Sequence, residues 1–172
     1  SRKRNVDNET ISSYIRFLYD SFLFTEAKRY DIKDKNYFDY PSKFYCSDTG
    51  LRNARLNFRQ QEESHLMENV IYNELACRGY SVDVGVIKTG GKDDGYRNRE
   101  IDFVVMKYYI QSSLRMDDQA KTEQELRPLL GVRDFFRKIV VSKTTVPPWT
   151  DELGIIHMGI YDFLLDKRSI EQ

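Results

Sequence analysis

The apolar positions of the chain follow two periods, and the change from one to the other marks its elements. In "TISSYIRFLYDSFLF", Ile11, Tyr14, Ile15, Leu18 and Phe22 recur at helical spacing, which predicts a helix capped by Thr10 or Ser12 that packs this face inward. "FTEAKRYDIKDKNYFDYPSKFYCSD" predicts two extended stretches, 25–32 and 40–47, joined at the turn-prone Asp34, Lys35 and Asn36. Helix plus ribbon makes a small winged-helix-like unit over residues 1–57, and "DTGLR" near its end predicts a turn with Gly50 at positive φ.

After the polar bridge "NFRQQEES", residues 58–172 read as a second unit. "SHLMENVIYNELACRG" predicts a helix capped by Ser64, with an apolar arc of Leu66, Met67, Val70, Ile71 and Leu75 and a stop at Gly79. "YSVDVGVIKT" predicts a half-buried strand, "GGKDDGYRNR" a glycine-rich turn, and "EIDFVVM" a strand with Ile101, Phe103 and Val105 opposite Glu100, Asp102 and Val104. "YYIQSSL" is a third strand, but only Lys107 separates it from the second and no turn residue marks the reversal. On one continuous strand Asp102 and Gln111 face opposite ways, so a shared site demands an unusually tight hairpin or residues missing between Val105 and Tyr109. "DDQAKTEQELRPLLGV" predicts a helix that contacts through Leu126, Leu129 and Leu130 and kinks or ends at Pro128. The strand "RKIVVSK", the stiff loop "VPPW", the strand "GIIHMGI" and a final helical turn "YDFLLD" complete the chain.

Composition narrows the function classes. The 172 residues suffice for one ordinary domain or a domain and a small companion, and 27 Lys and Arg balance 27 Asp and Glu, so any nucleic-acid surface must be local. Cys46 and Cys77 form neither a zinc pattern nor a disulfide framework, which favours a reducing cytoplasmic location. No apolar run reaches the roughly 20 residues of a membrane span, so no membrane association is expected. No phosphate-cradling Gly-x-x-x-x-Gly-Lys motif is present, so ATP has no predicted site here. "SRKR", with Arg2, Lys3 and Arg4, and "AKR", with Lys28 and Arg29, form a modest basic edge for nucleic acid, although neighbouring acids favour plain solvation. His65 and His157 read as packing residues.

The element order helix, three strands, helix, strand is the αβββαβ core order of the PD-(D/E)XK restriction-endonuclease-like fold, an α/β (α+β) class. In addition "KRYDIKDK", "KFYCSDTGLRNA", "HLMENVIYNELACRGYSVDVG", "REIDFVV", "YYIQSS", "ELRPLL", "RKIVVS" and "GIIHMGIYDFLL" occur in an order that resembles a C-terminal domain of unknown function. That domain follows the ATPase module in bacterial and archaeal AAA-type ATP-binding proteins. The resemblance implies that the nucleotide-binding module lies upstream, that this module is the domain's first partner, and that ATP belongs there. It places Glu68 at the helix acid, Asp102 at the strand acid, and Gln111 and Ser113 where active nucleases carry acid-x-Lys.

A nuclease of this kind holds Mg²⁺ or Mn²⁺, here by Glu68, Asp102 and the Gln111 carbonyl. Ser113 supplies neither the charge nor the basicity of lysine, and loss of such a group lowers rate by roughly 10²- to 10⁴-fold. Lys107, Lys138 or Lys143 are substitutes, and Arg99 is a structural partner for Asp102. Periodicity alone prefers Glu74 over Glu68 as the sheet-facing acid. The expectation is a degenerate nuclease-like module that binds DNA, RNA or a partner and regulates its ATPase. The alternatives are an active metal-dependent nuclease and an oligomerisation domain using the exposed aromatics of the first unit.

Overall fold

The computed structural model describes residues 7–38, 41–58, 62–89, 97–114, 116 and 119–171. In chain order the elements are α1 (Asn8–Asp20), β1 (Phe24–Ala27), β2 (Arg29–Asp31), β3 (Asn36–Tyr37), β4 (Lys43–Cys46), α2 (Thr49–Arg55) and α3 (Glu63–Cys77). They continue with β5 (Asp83–Thr89), β6 (Arg97–Val105), β7 (Tyr108–Ser113), α4 (Gln119–Leu130), β8 (Arg137–Ser142), β9 (Trp149–Thr150), β10 (Ile155–Gly159) and α5 (Ile160–Leu165). The class is mixed α/β. A central sheet runs β3-β2-β5-β6-β7-β8-β10-β9, with parallel pairing at β2/β5, β7/β8 and β8/β10 and antiparallel pairing elsewhere.

Each face of the sheet has its own apolar layer. Met67, Ile71, Tyr72 and Leu75 of α3 cover Val84, Phe103, Val105, Ile110 and Ile139, with Phe163 of α5 alongside. Leu126 and Leu129 of α4 cover Ile87, Ile101, Val104, Tyr109 and Val140 on the other face. Full burial of each such side chain contributes about 1.5–3 kcal/mol, so the two layers dominate the stability. Pro128 sits inside α4 near its last turn, and Gly79, at φ 86°, ends the last turn of α3 as expected.

The first 57 residues do not form a separate winged-helix unit. β1 and β4 pair as the ribbon predicts, from Phe24↔Cys46 to Ala27↔Lys43, but β2 leaves that ribbon and joins the central sheet beside β5. Ala27 and Tyr45 are buried in the α3 layer. Asn69 of α3 fixes this seam: its Oδ1 accepts from Cys46 N at 3.0 Å and its Nδ2 donates to Cys46 O at 2.8 Å, so the amide stands in for a neighbouring strand. "DTGLR" also differs from expectation, because Asp48 caps α2 by accepting from Gly50 N and Leu51 N, and Gly50 has no positive φ.

α1 is a helix, yet its apolar face does not pack inward. None of its residues is buried, and Ile11, Tyr14, Ile15, Phe17 and Leu18 are 40–65% exposed. The helix touches the rest of the fold chiefly through β1, so its amphipathic periodicity reports a face with no cover among the described residues.

The β6/β7 reversal is the tight hairpin. Val105 pairs with Tyr108 across a two-residue turn in which Met106 has φ 47°, a left-handed conformation taken here without Gly or Asn. β6 also carries a bulge. Between the pairs Asp83↔Val104 and Gly85↔Ile101, two steps on β5 span three on β6. The alternation expected on this strand is therefore broken: Ile101 joins Val104 on the α4 face, while Phe103 and Val105 face α3. Both Ile101 and Val104 lie over Gly85, where an added Cβ would come within 2.8 Å of Val104 Cγ2 and 3.2 Å of Ile101 Cβ.

Candidate functional site

Pairing of β6 with β7 ends at Phe103↔Ile110, and Asp102 and Gln111 are the first residues beyond it. The bulge aims Asp102 into the gap, where Oδ2 accepts from Ser112 N at 2.9 Å and from Gln111 Nε2 at 2.8 Å. The carboxylate thus occupies the place of a strand partner. Glu68 approaches from α3 and Glu125 from α4, the latter 3.3 Å from the same Gln111 Nε2. Asp102, Glu68 and Gln111 therefore belong to one cluster.

A lysine stands at the centre of it, from a position the sequence did not suggest. Lys43 Nζ lies 3.1 Å from Glu68 Oε1, 3.6 Å from Glu100 Oε2 and 3.8 Å from Asp102 Oδ1. The cation comes from β4, not from Lys107, Lys138 or Lys143: Lys107 is exposed, Lys138 donates to Val132 O, and Lys143 pairs with Glu63. Tyr45, on the same face of β4, donates its hydroxyl to Glu68 Oε1 at 2.7 Å. Glu100 is also held by Arg29 at 2.9 Å, so four carboxylates (Glu68, Glu100, Asp102, Glu125) meet two cations.

This arrangement shifts the titrations of its members. Burial, followed by the charge on Glu68, pushes Asp102 up to about 7, against the opposing pull of Lys43 and the Ser112 N–H. Burial also works against charge on Lys43, but Glu68 and Asp102 outweigh it and hold the ammonium above the ordinary lysine range. Burial, then the charge of Glu68, raises the Tyr45 phenol far above its usual value, so it remains a donor. Glu125 is raised by burial.

The donor set does not fit a hard divalent cation as it stands. Such an ion needs several oxygen ligands at roughly 2.0–2.6 Å, whereas an ammonium occupies the point on which the carboxylates converge. Gln111 points its NH₂, not its carbonyl, at Asp102 and Glu125, and its Oε1 is buried without a hydrogen-bond partner among the described residues. Among the described residues no three His, Cys, Asp or Glu side chains are arranged to hold a metal ion.

The other sequence candidates lie elsewhere or have other duties. Ser113 is buried on β7 level with Ser142 of β8, and a hydroxyl there supplies no cation. Glu74 is bound to Arg78 at 2.8 Å on the far half of α3, where Arg78 also lies 4.4 Å above the Phe163 ring. That pair closes α3 onto α5 and explains why a glutamate sits within the apolar arc. Lys43, rather than Arg99, is the partner of Asp102. Arg29 is committed to Glu100 and Pro41 O, Lys28 is exposed, and Arg2, Lys3 and Arg4 lie outside the described residues. His65 pairs with Glu62, and His157 with Asp151 while stacked on Trp149.

Sequence reasoning missed Lys43, Tyr45, Glu100 and Glu125. One signal was present: in "KFYC", Lys43 shares a strand face with Tyr45, and an aromatic that faces the core brings its i−2 neighbour to the same side.

No family model and no solved structure matches this chain. Over 169 residues, 96% of the chain, it is 32% identical to an uncharacterised protein of Haemophilus influenzae. It covers 39% of that protein, so the chain spans about two-fifths of its relative's length.

Proposed function

We propose that this chain is a nuclease-like module whose metal position has been taken over by an internal ammonium, and that it works by binding rather than cutting. The observation that carries the reading is Lys43 Nζ within 3.8 Å of Glu68, Glu100 and Asp102 at once. The scaffold reading draws support from the order α3-β5-β6-β7-α4-β8, and from the acids gathered where β6 and β7 part. In this reading the module is the C-terminal, regulatory part of an AAA-type ATP-binding protein whose ATPase lies upstream, and its ligand is a nucleic acid or a protein partner. Fold analogy contributes less to this than the site itself. The test is incubation of the purified chain with supercoiled DNA and with RNA in Mg²⁺ and Mn²⁺. No cleavage is expected; metal-dependent cleavage that disappears in Asp102→Ala overturns the reading.

A second reading, an oligomerisation or partner-docking role, is favoured by the uncovered apolar face of α1, with Phe22 84% exposed just beyond it. Sedimentation of the wild-type chain against Phe17→Glu tests it: loss of a self-associated species in the variant supports it, and a monomeric wild type removes self-association.

A further inference from the structure

A second recess lies apart from the carboxylate cluster, between the β2–β3 turn, the end of β5 and the segment after α4. We propose that it binds a nucleotide-sized, phosphate-bearing ligand, either a free nucleotide or one nucleotide of a single strand.

The recess has a volume of about 520 Å³, within the range of small-molecule sites and sufficient for a mononucleotide. Its floor is apolar, formed by Ile32, Ile87 and Val132. Its rim is cationic, with Lys33 and Lys35 from the turn, Lys88 from β5 and Arg133 from the α4–β8 segment. Apolar floor and cationic rim match the two halves of a nucleotide, the base and sugar on one side and the phosphate on the other.

The charges are unspent. Lys33, Lys35 and Arg133 make no ion pair among the described residues, whereas Lys88 is held by Asp31 at 3.0 Å and by Asp34 at 3.3 Å. The one acid on the wall, Asp134, is already engaged: Oδ2 accepts from Tyr109 at 2.6 Å and Oδ1 from Phe136 N at 3.1 Å. Three cations in a protein of zero net charge therefore converge on one concavity without an ion-pair partner among the described residues.

The turn that carries two of them is built to hold its shape. Asp31 is fully buried, and its Oδ1 accepts from Lys33 N and Asp34 N, both at 3.0 Å. Lys35 N donates to Asp31 O at 2.8 Å, and Lys35 adopts φ 53°. The backbone of the rim is thus fixed before any ligand arrives, which lowers the ordering cost of binding. Phe135, fully exposed on the segment next to Arg133, offers a ring face of the kind on which bases stack.

The test uses the full chain and a fluorescein-labelled, 5′-phosphorylated oligothymidylate as probe, read by anisotropy at low salt, with AMP and the unlabelled oligonucleotide as competitors. Lys33→Glu/Lys35→Glu and Arg133→Glu are each expected to weaken binding by at least about tenfold and to reduce the slope of log affinity against log salt by about one for each phosphate contact removed. Lys167→Glu, exposed and outside the recess, is the control that leaves binding unchanged. Competition by AMP identifies a free nucleotide as the ligand, and competition only by unlabelled oligonucleotide identifies a strand; either supports the proposal. Absence of binding by probe and AMP at millimolar concentration overturns it, as does binding that persists unchanged in both charge-reversed variants. Far-ultraviolet circular dichroism and urea unfolding of the variants separate a lost site from a lost fold, and all three substituted side chains are exposed. Because the recess is read by binding alone, its failure is distinct from that of the carboxylate-site reading, which is tested by cleavage.

Discussion

Replacing Lys43 with methionine keeps the stem and removes the charge, leaving Glu68, Glu100 and Asp102 facing one another. Glu68 and Asp102 side chains are only 17% and 14% exposed, so water compensates them poorly. Removing one partner of a buried pair costs about 3–5 kcal/mol, and because Lys43 is itself 27% exposed and Glu100 keeps Arg29, about 2–4 kcal/mol is expected at slightly alkaline pH. The pH dependence separates this from a packing loss. Asp102 titrates at about 7 in the fold against an ordinary 3.8, so its contribution to stability is fully present below about pH 4 and is lost as pH rises through 7. Without Lys43 the folded value moves higher still, the carboxyl remains protonated at neutrality, and the deficit of the variant shrinks as the pH falls. Urea unfolding of Lys43→Met across this range is the assay, with Lys43→Met/Glu68→Gln as the second arm, which should recover part of the loss. A deficit that is independent of pH and unaffected by neutralising Glu68, or no deficit at alkaline pH, refutes the reasoning.

Other outcomes follow from the same contacts. Gly85→Ala forces a methyl against Ile32 Cδ1 and Val104 Cγ2, both at 2.8 Å, and should lower stability by about 1–3 kcal/mol in denaturant titration. Arg78→Met leaves Glu74 without its cation and removes the donors to Ser169 and Phe163, a loss of about 2–4 kcal/mol by thermal or urea unfolding. Phe17→Ser and Phe22→Ser should each change monomer stability by less than about 0.5 kcal/mol, because their rings are already in solvent; a larger loss means that α1 packs in this chain after all.

The α3 and α4 layers were legible in the sequence because each rests on local periodicity: Met67, Ile71 and Leu75 repeat at helical spacing on α3, and Leu126 and Leu129 do so on α4. Asp102, Glu68 and Gln111 could be named together only by assuming a hairpin with no turn residue, a conformation that Met106 adopts at positive φ. Lys43 was not legible, since its place depends on a β4 strand 25 residues from Glu68 and on the Asn69 clamp that holds this strand to α3. The division at residue 57 failed for the same reason. The parallel pairing of β2 with β5 joins segments more than 50 residues apart, a contact that no local pattern encodes. The inward α1 failed differently: periodicity specifies which face of a helix is apolar, not which molecule covers it.

In the proposed reading the Lys43 ammonium fills the position that a divalent ion takes in an active nuclease. Titration of Mn²⁺ into the wild-type chain and into Lys43→Ala, with free Mn²⁺ read by electron paramagnetic resonance, tests it most directly. The wild type is expected to leave the ion free to millimolar concentration, while Lys43→Ala takes up one equivalent through the released carboxylates. One Mn²⁺ bound by the wild type with Lys43 in place, and lost in Asp102→Ala, would contradict it.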